Sequence, residues 1–217
     1  MKGDRMRTSV LSVRILANAD RALLERLEVP AGHRSLGFIT TDCDDVGYAA
    51  LDEATKKAEV TVAYARSMYA GASNASTALA GEFIGILSGP DPEEVKSGIE
   101  AFVSYVENDA AFYSANDDDS IVYFAHCISR TGSYLSKAAE VPEGTAMAYL
   151  IAPPLEAMMG IDAALKAAGV EMRVFYGPPS ETNFAGALLT GEQSACVSAC
   201  EAFAETVCSI ADAPLKY

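Results

Sequence analysis

The sequence has no tryptophan and only two histidines, and its 16 lysines and arginines are outnumbered by 30 aspartates and glutamates. A formal charge of −14 repels polyanions, which argues against nucleic acid or an anionic membrane surface as partner and suits cations or neutral solutes. No apolar run follows the charged start MKGDRMRTSV, so no cleavable signal is expected. The longest apolar stretches, such as AMAYLIAPPL, are too short for a bilayer and carry two prolines. Five cysteines in no CxxC spacing fit reduced thiols, not a disulfide framework or a zinc ribbon. A soluble cytoplasmic protein is the default expectation.

Catalytic signatures are equally scarce. There is no G-x-G-x-x-G or P-loop run, and Gly81, Gly85 and Gly89 fall every fourth residue along a strand and turn, where they permit close backbone approach. His33 follows Pro30 in a loop and His126 sits beside Cys127 in an apolar strand; neither has a serine or cysteine in a nucleophile-like turn, so both read as structural or solvated. Cys196 and Cys200 share a helical stripe with Ala199, Phe203 and Val207 and read as core packing, since the helix offers no further metal ligands. Asp117-Asp118-Asp119 reads as a solvated loop. No residue set supplies acid, base and nucleophile together, so an enzyme is not expected.

What the chain does have is a repeat. LDEATKKAEVTV at Leu51 returns as IDAALKAAGVEM at Ile161, an offset of 110 (161 − 51) without a gap. LSGPDPEEVKSG at Leu87 answers LTGEQSACVSAC at Leu189, offset 102 (189 − 87), and Glu28-Val29-Pro30 answers Glu140-Val141-Pro142, offset 112 (140 − 28). Three anchors in one order mark a tandem duplication with its boundary near Asn108 to Phe112, giving domains at 1–110 and 111–217.

Each copy reads the same way. A β-branched strand (Val10–Leu16; Ile121–Ser129) precedes a short helix ending near the EVP. A second strand (Ser35–Thr41; Ala146–Ala152) feeds the helix carrying the opening motif. A third strand (Val60–Tyr64; Val170–Tyr176) loops to a fourth (Glu82–Leu87; Phe184–Leu189), and a last helix follows (Pro92–Val106; Gln193–Ile210). The expected fold class is α+β: two tandem domains, each a mainly antiparallel four-stranded sheet with helices on one side.

GALLTGEQSACVSACEAF, preceded by LEAMMGIDAALKAAGVEM, resembles the bacterial microcompartment shell domain. A strand ending in TG before a helix, and the D-A-A-x-K-A-A-x-V-E run from Asp162 to Glu171, carry the likeness. Two copies, each with its strand and short helix ahead of the shared core, look like the circularly permuted tandem-domain branch. SLGFITTDCDDV, YARSMYAGAS, SRTGSYLS, YLIAPPLEAM and PPSETNFAGALLTG resemble its ethanolamine-utilisation type. The resemblance implies a homotrimer that imitates a hexamer, tiles a shell facet with other shell proteins, and passes small metabolites. A cytosolic trimeric sensor that binds a small amine is the alternative from another class.

The acids Asp44 and Asp45 in TTDCDDV, and Glu82 at a strand start, have two readings. From sequence alone Asp44 and Asp45 read as helix N-caps, which places carboxylates where the dipole favours them. The resemblance implies that Asp44, Asp45 and Glu82 line a small pore within the subunit and hold the amine of ethanolamine, with Thr182, Asn183 and Phe184 toward its hydroxyl and Phe112 alongside. Where relatives carry tyrosine this chain has Phe184, so a backbone group must replace that hydroxyl. The resemblance also places zinc at Glu156, although one carboxylate without histidine or cysteine is a poor zinc site, and no cofactor is required. The loops Met68–Ala80 and Gly177–Asn183 would ring a central pore; the first is rich in glycine and serine, the second stiffened by Pro178-Pro179, which suits gating by the first. Their other reading is ordinary hairpin loops.

Overall fold

The structure is a computed structural model that describes residues 1–68, 79, 81–178, 180 and 183–216. Most of Met68–Ala80 and part of Gly177–Asn183, including Thr182, lie outside the described residues. The chain forms two compact units. The first comprises Thr8–Ala110 and Gly132–Leu135, and the second comprises Met1–Arg7, Ala111–Thr131 and Ser136–Tyr217.

In the first unit the chain runs β2 (Val10–Leu16), α1 (Arg21–Arg26), β3 (Ser35–Thr41), α2 (Asp44–Lys57), β4 (Thr61–Ser67), β5 (Phe83–Gly89) and α3 (Pro92–Asn108). The strands pair antiparallel in the order β2-β3-β5-β4. Alternation along β3 and β5 turns Gly37, Ile39, Gly85 and Leu87 to one face, and that face takes the two long helices. A Cβ on Gly37 would lie 2.7 Å from Val95 of α3, and one on Gly85 would lie 3.0 Å from Leu51 of α2. Bare backbone there lets the helices settle close, with Ile39, Leu51, Phe83, Leu87 and Phe102 packed between them and the sheet, none of them solvent-exposed. The short α1 gives Leu24 and Leu27 to a separate cluster with Leu36, Phe38, Ile84 and Ile86. Helix α3 starts where its sequence says: Asp91 caps the amides of Glu93 and Glu94 at 2.9 Å, with Pro92 in the first turn.

The second unit repeats the order with β7 (Val122–Ile128), α4 (Ser133–Ala138, whose first turn belongs to the first unit), β8 (Ala146–Ala152), α5 (Pro154–Ala167), β9 (Val170–Tyr176), β10 (Ala185–Gly191) and α6 (Gln193–Asp212). Its sheet is wider than four strands. β6 (Phe112–Ser114) pairs with β7, and β1 (Arg5–Met6) pairs with β6, giving β1-β6-β7-β8-β10-β9. The extreme N-terminus therefore belongs to this sheet. Asp4 and Asp119 hold the Met1 ammonium at 2.8 and 3.1 Å, and Asp117 accepts the Lys2 amide at 3.2 Å. The aspartate run is thus an exposed loop that also anchors the first residues of the chain.

Alanines at 148, 157, 164, 187 and 199 fill the layer between sheet and helices, with Phe203 and Leu189 as its large members. Cys196 and Cys200 are buried in this core, as their spacing predicts, and burial raises both thiols, Cys196 to about 11. The duplication reaches the backbone: Glu28 and Glu140, at the repeat offset, adopt left-handed φ of 52° and 53°.

Candidate functional site: an acidic patch at the start of α2

The mouth of the patch is set by backbone. Gly81 has φ of +62°, and a Cβ there would fall 2.1 Å from the Thr41 carbonyl, so only glycine brings the chain this close. The Glu82 amide then donates to that same Thr41 carbonyl at 2.9 Å, and the Met68 amide donates to the Glu82 carbonyl at 2.7 Å. These bonds fix Glu82 beside the strand that leads into α2.

Helix α2 begins after Cys43, which holds the N-cap position without a side-chain cap bond. Asp44 and Asp45 occupy the first turn itself, so neither is the cap residue; both are buried, with carboxylates where the helix dipole favours them. Asp44 uses both oxygens: Oδ1 accepts the Asp45 amide at 2.9 Å, and Oδ2 accepts the Ser67 hydroxyl at 2.7 Å. Ser67 Oγ lies 3.0 Å from Tyr48 Oη, and the Tyr48 ring meets Phe83 edge-on at 4.9 Å. Asp42 accepts the Ser9 amide at 2.7 Å. Ser67, Tyr48 and Asp42 carried no signal of their own in the sequence. They join the patch only when the end of β4 is laid beside the start of α2.

Burial raises the Glu82 carboxyl above its ordinary value, and the negative charges of Asp44 and then Asp42 push it the same way. These acids feel one another and form one field. Cys43, beside them, is raised far above an ordinary thiol by burial and then by Asp45. An arrangement of clustered carboxylates with two neutral hydroxyls can hold a small cation that also carries a hydroxyl.

The other expected ligand residues lie in the second unit. Phe112 packs on Phe124 at 5.3 Å and on Phe184 at 6.2 Å. Asn183 has a left-handed φ of 68°, and the turn closes through the Ser180 amide to the Phe184 carbonyl at 2.8 Å. Phe112, Asn183 and Phe184 thus form an aromatic wall with a polar lip. Glu156 lies in the first turn of α5. Among the described residues no three histidine, cysteine, aspartate or glutamate side chains gather to hold a metal ion, so the donor set around Glu156 does not fit zinc.

Each of the two histidines has a neighbour within its own unit. His33 Nδ1 lies 3.1 Å from Ser88 Oγ, and His126 stacks on Phe124 at 5.4 Å.

A family model described as BMC domain matches residues 35–116. The bacterial microcompartment shell protein EutL of Clostridium perfringens is 63% identical over 217 residues, covering 100% of both chains. EutL of Salmonella typhimurium is 50% identical over 213 residues, 98% of this chain and 97% of that one. The crystal structure of ethanolamine utilization protein EutL from Leptotrichia buccalis superposes with a TM-score of 0.97 at 66% identity, covering 100% of each chain. These relatives give no support to a regulatory sensor and describe a structural protein in place of an enzyme. At such identity over the full length, the chain belongs to the bacterial microcompartment shell proteins of the EutL family.

Proposed function

We propose that three copies of this shell protein close into a ring of six repeats that packs beside other shell proteins. Within it, the acidic patch of the first unit takes a small primary ammonium bearing a hydroxyl, of which ethanolamine is the simplest. The observation that carries the ligand is the mutual field of Glu82, Asp44 and Asp42, with the Ser67 hydroxyl on Asp44 and the Tyr48 hydroxyl beside Ser67. An ammonium relieves the mutual repulsion of the carboxylates, and a hydroxyl has neutral partners within the same group. Thr182, Asn183, Phe184 and Phe112 enter the proposal as a second contact surface for a ligand of this class, within the second unit. The loops at 68–80 and 177–183 enter it as the rim of a central, gated pore.

Calorimetry with ethanolamine tests the ligand. A charged hydrogen bond contributes about 1.5–3 kcal/mol, so Glu82→Gln should weaken binding roughly 10- to 100-fold. Asn183→Ala probes the second surface in the same assay. Unchanged affinity in Glu82→Gln and in Asp44→Asn would mean that these acids serve only the start of α2.

A further inference from the structure

The second unit carries a cleft of its own, with a volume of about 430 Å³, lined by Lys2, Tyr123, Glu205, Cys208, Ser209 and Asp212. Positions 205, 208, 209 and 212 fall at helical spacing, so α6 offers them along one face, and β7 supplies Tyr123. Lys2 is brought there by backbone. Its amide donates to Asp117 at 3.2 Å, and the strand that follows it, β1, pairs with β6. The Lys2 ammonium then donates to Asp212 Oδ2 at 2.6 Å, which ties the start of the chain to the end of α6.

The nucleophile in this cleft is Cys208, a half-buried free thiol hydrogen-bonded to the Tyr123 hydroxyl. Burial and then the charge of Cys208 push Tyr123 up to about 12, so the phenol keeps its proton and donates it in that bond. The hydrogen bond to Asp212 raises the Lys2 ammonium first, and the charges of Asp212 and Cys208 raise it further. The positive charge of Lys2 therefore reaches the sulfur. A thiolate formed at this place has a hydroxyl donor and an ammonium beside it. The other cysteines keep different company. Burial raises Cys43, Cys127, Cys196 and Cys200, and the charges that add to it at Cys43, Cys196 and Cys200 are negative.

We propose that Cys208, in its cleft with Tyr123 and Lys2, is a modification site that exchanges with a small disulfide carrying ammonium groups. Cys208 Sγ attacks one sulfur of the disulfide, a new S–S bond to Cys208 forms, and the original S–S bond breaks. The leaving thiolate takes up the proton that the Cys208 thiol gave up. One thiol is consumed and one is released, and the small disulfide is itself the oxidant.

Charge selects the class of disulfide. Glu205 and Asp212 set two carboxylates against the one ammonium of Lys2, in a chain of net charge −14, so an ammonium-bearing group is drawn in and a carboxylate-bearing one is repelled. Once bound to Cys208, that ammonium competes with Lys2 for Asp212. The pair it displaces is an exposed one, with side chains 43% and 58% accessible, and opens at little cost. The adduct thereby takes the place of the tie between the start of the chain and α6.

Peptide mass spectrometry of the native full chain, sampled over time in cystamine, tests the site. Cys208 should take up one aminoethylthio group about tenfold faster than Cys127, the other half-buried thiol of this unit. Dithiodiglycolate, a disulfide of similar size bearing carboxylates, should react at Cys208 roughly tenfold more slowly than cystamine. Lys2→Met and Tyr123→Phe should each slow the exchange at Cys208 about threefold and leave Cys127 as it was. The Lys2 side chain is exposed and Tyr123→Phe removes one hydroxyl, so circular dichroism should show an unchanged fold. Labelling of Cys208 no faster than that of Cys127 would overturn the site. Fast labelling that survives both variants would overturn it too, since exposure alone would then explain the rate. Equal rates with the two disulfides would overturn the choice of a cationic partner.

Discussion

Asp52 and Asp162 hold the same place in the repeat and live in opposite surroundings. Asp162 pairs with Lys166 at 2.6 Å in solvent, whereas Asp52 is sealed and its carboxyl is raised by burial despite two amide bonds and nearby Lys56. Asp52→Ala should leave the buried Gly132 and Leu135 amides unpaired at a cost of about 1–3 kcal/mol each, read by denaturant unfolding. A loss below half a kcal/mol would show that water replaces the carboxylate. Glu82 supports a pH prediction. Its raised folded value means that it takes up a proton at a higher pH than an ordinary carboxylate, and protonation removes the charge that attracts an amine. Ethanolamine affinity should therefore be full above that raised value and fall as pH drops through it. In Glu82→Gln this part of the pH profile should flatten, and a wild-type slope in the variant would assign the titration elsewhere.

Elements were legible in proportion to their length and periodicity. The fourteen-residue α2 and α5 and the long α3 and α6 lie where spacing puts them, and β3 and β8 match their expected ends. β1 and β6, two and three residues long, left no period to detect, so the second sheet was expected with four strands and has six. In the site, acids announced themselves because clustered charge is visible in one dimension. Ser67 and Tyr48 did not, because a hydroxyl becomes informative only when its partner is known, here across 23 and 19 residues. The glycine ahead of β5 is testable at this scale. Gly81→Ala forces an L side chain into left-handed backbone against the Thr41 carbonyl and should cost about 1–3 kcal/mol. It should also weaken amine binding, because it shifts the strand entry that fixes Glu82. Destabilisation with unaltered affinity would separate the turn from the site.

At the scale of the whole molecule, the ring proposed above turns a sixfold problem into a threefold one. In that proposal two shell repeats per chain complete six positions with three copies, and the two halves are free to differ wherever they are joined differently. They do differ there: Asp52 on α2 is covered by the chain's own residues 132–135, while α5 exposes Met158 and Met159. The acidic balance of −14 acts against association, so assembly should strengthen as salt screens the repulsion. Light scattering should accordingly give three times 22.8 kDa at micromolar concentration, with the fraction of trimer rising between low and physiological ionic strength. Electron microscopy of concentrated samples should then show hexagonally packed sheets. Trimers that remain dispersed at high concentration and moderate salt would mean that the outer edges of this chain pack only against different shell proteins, never against themselves.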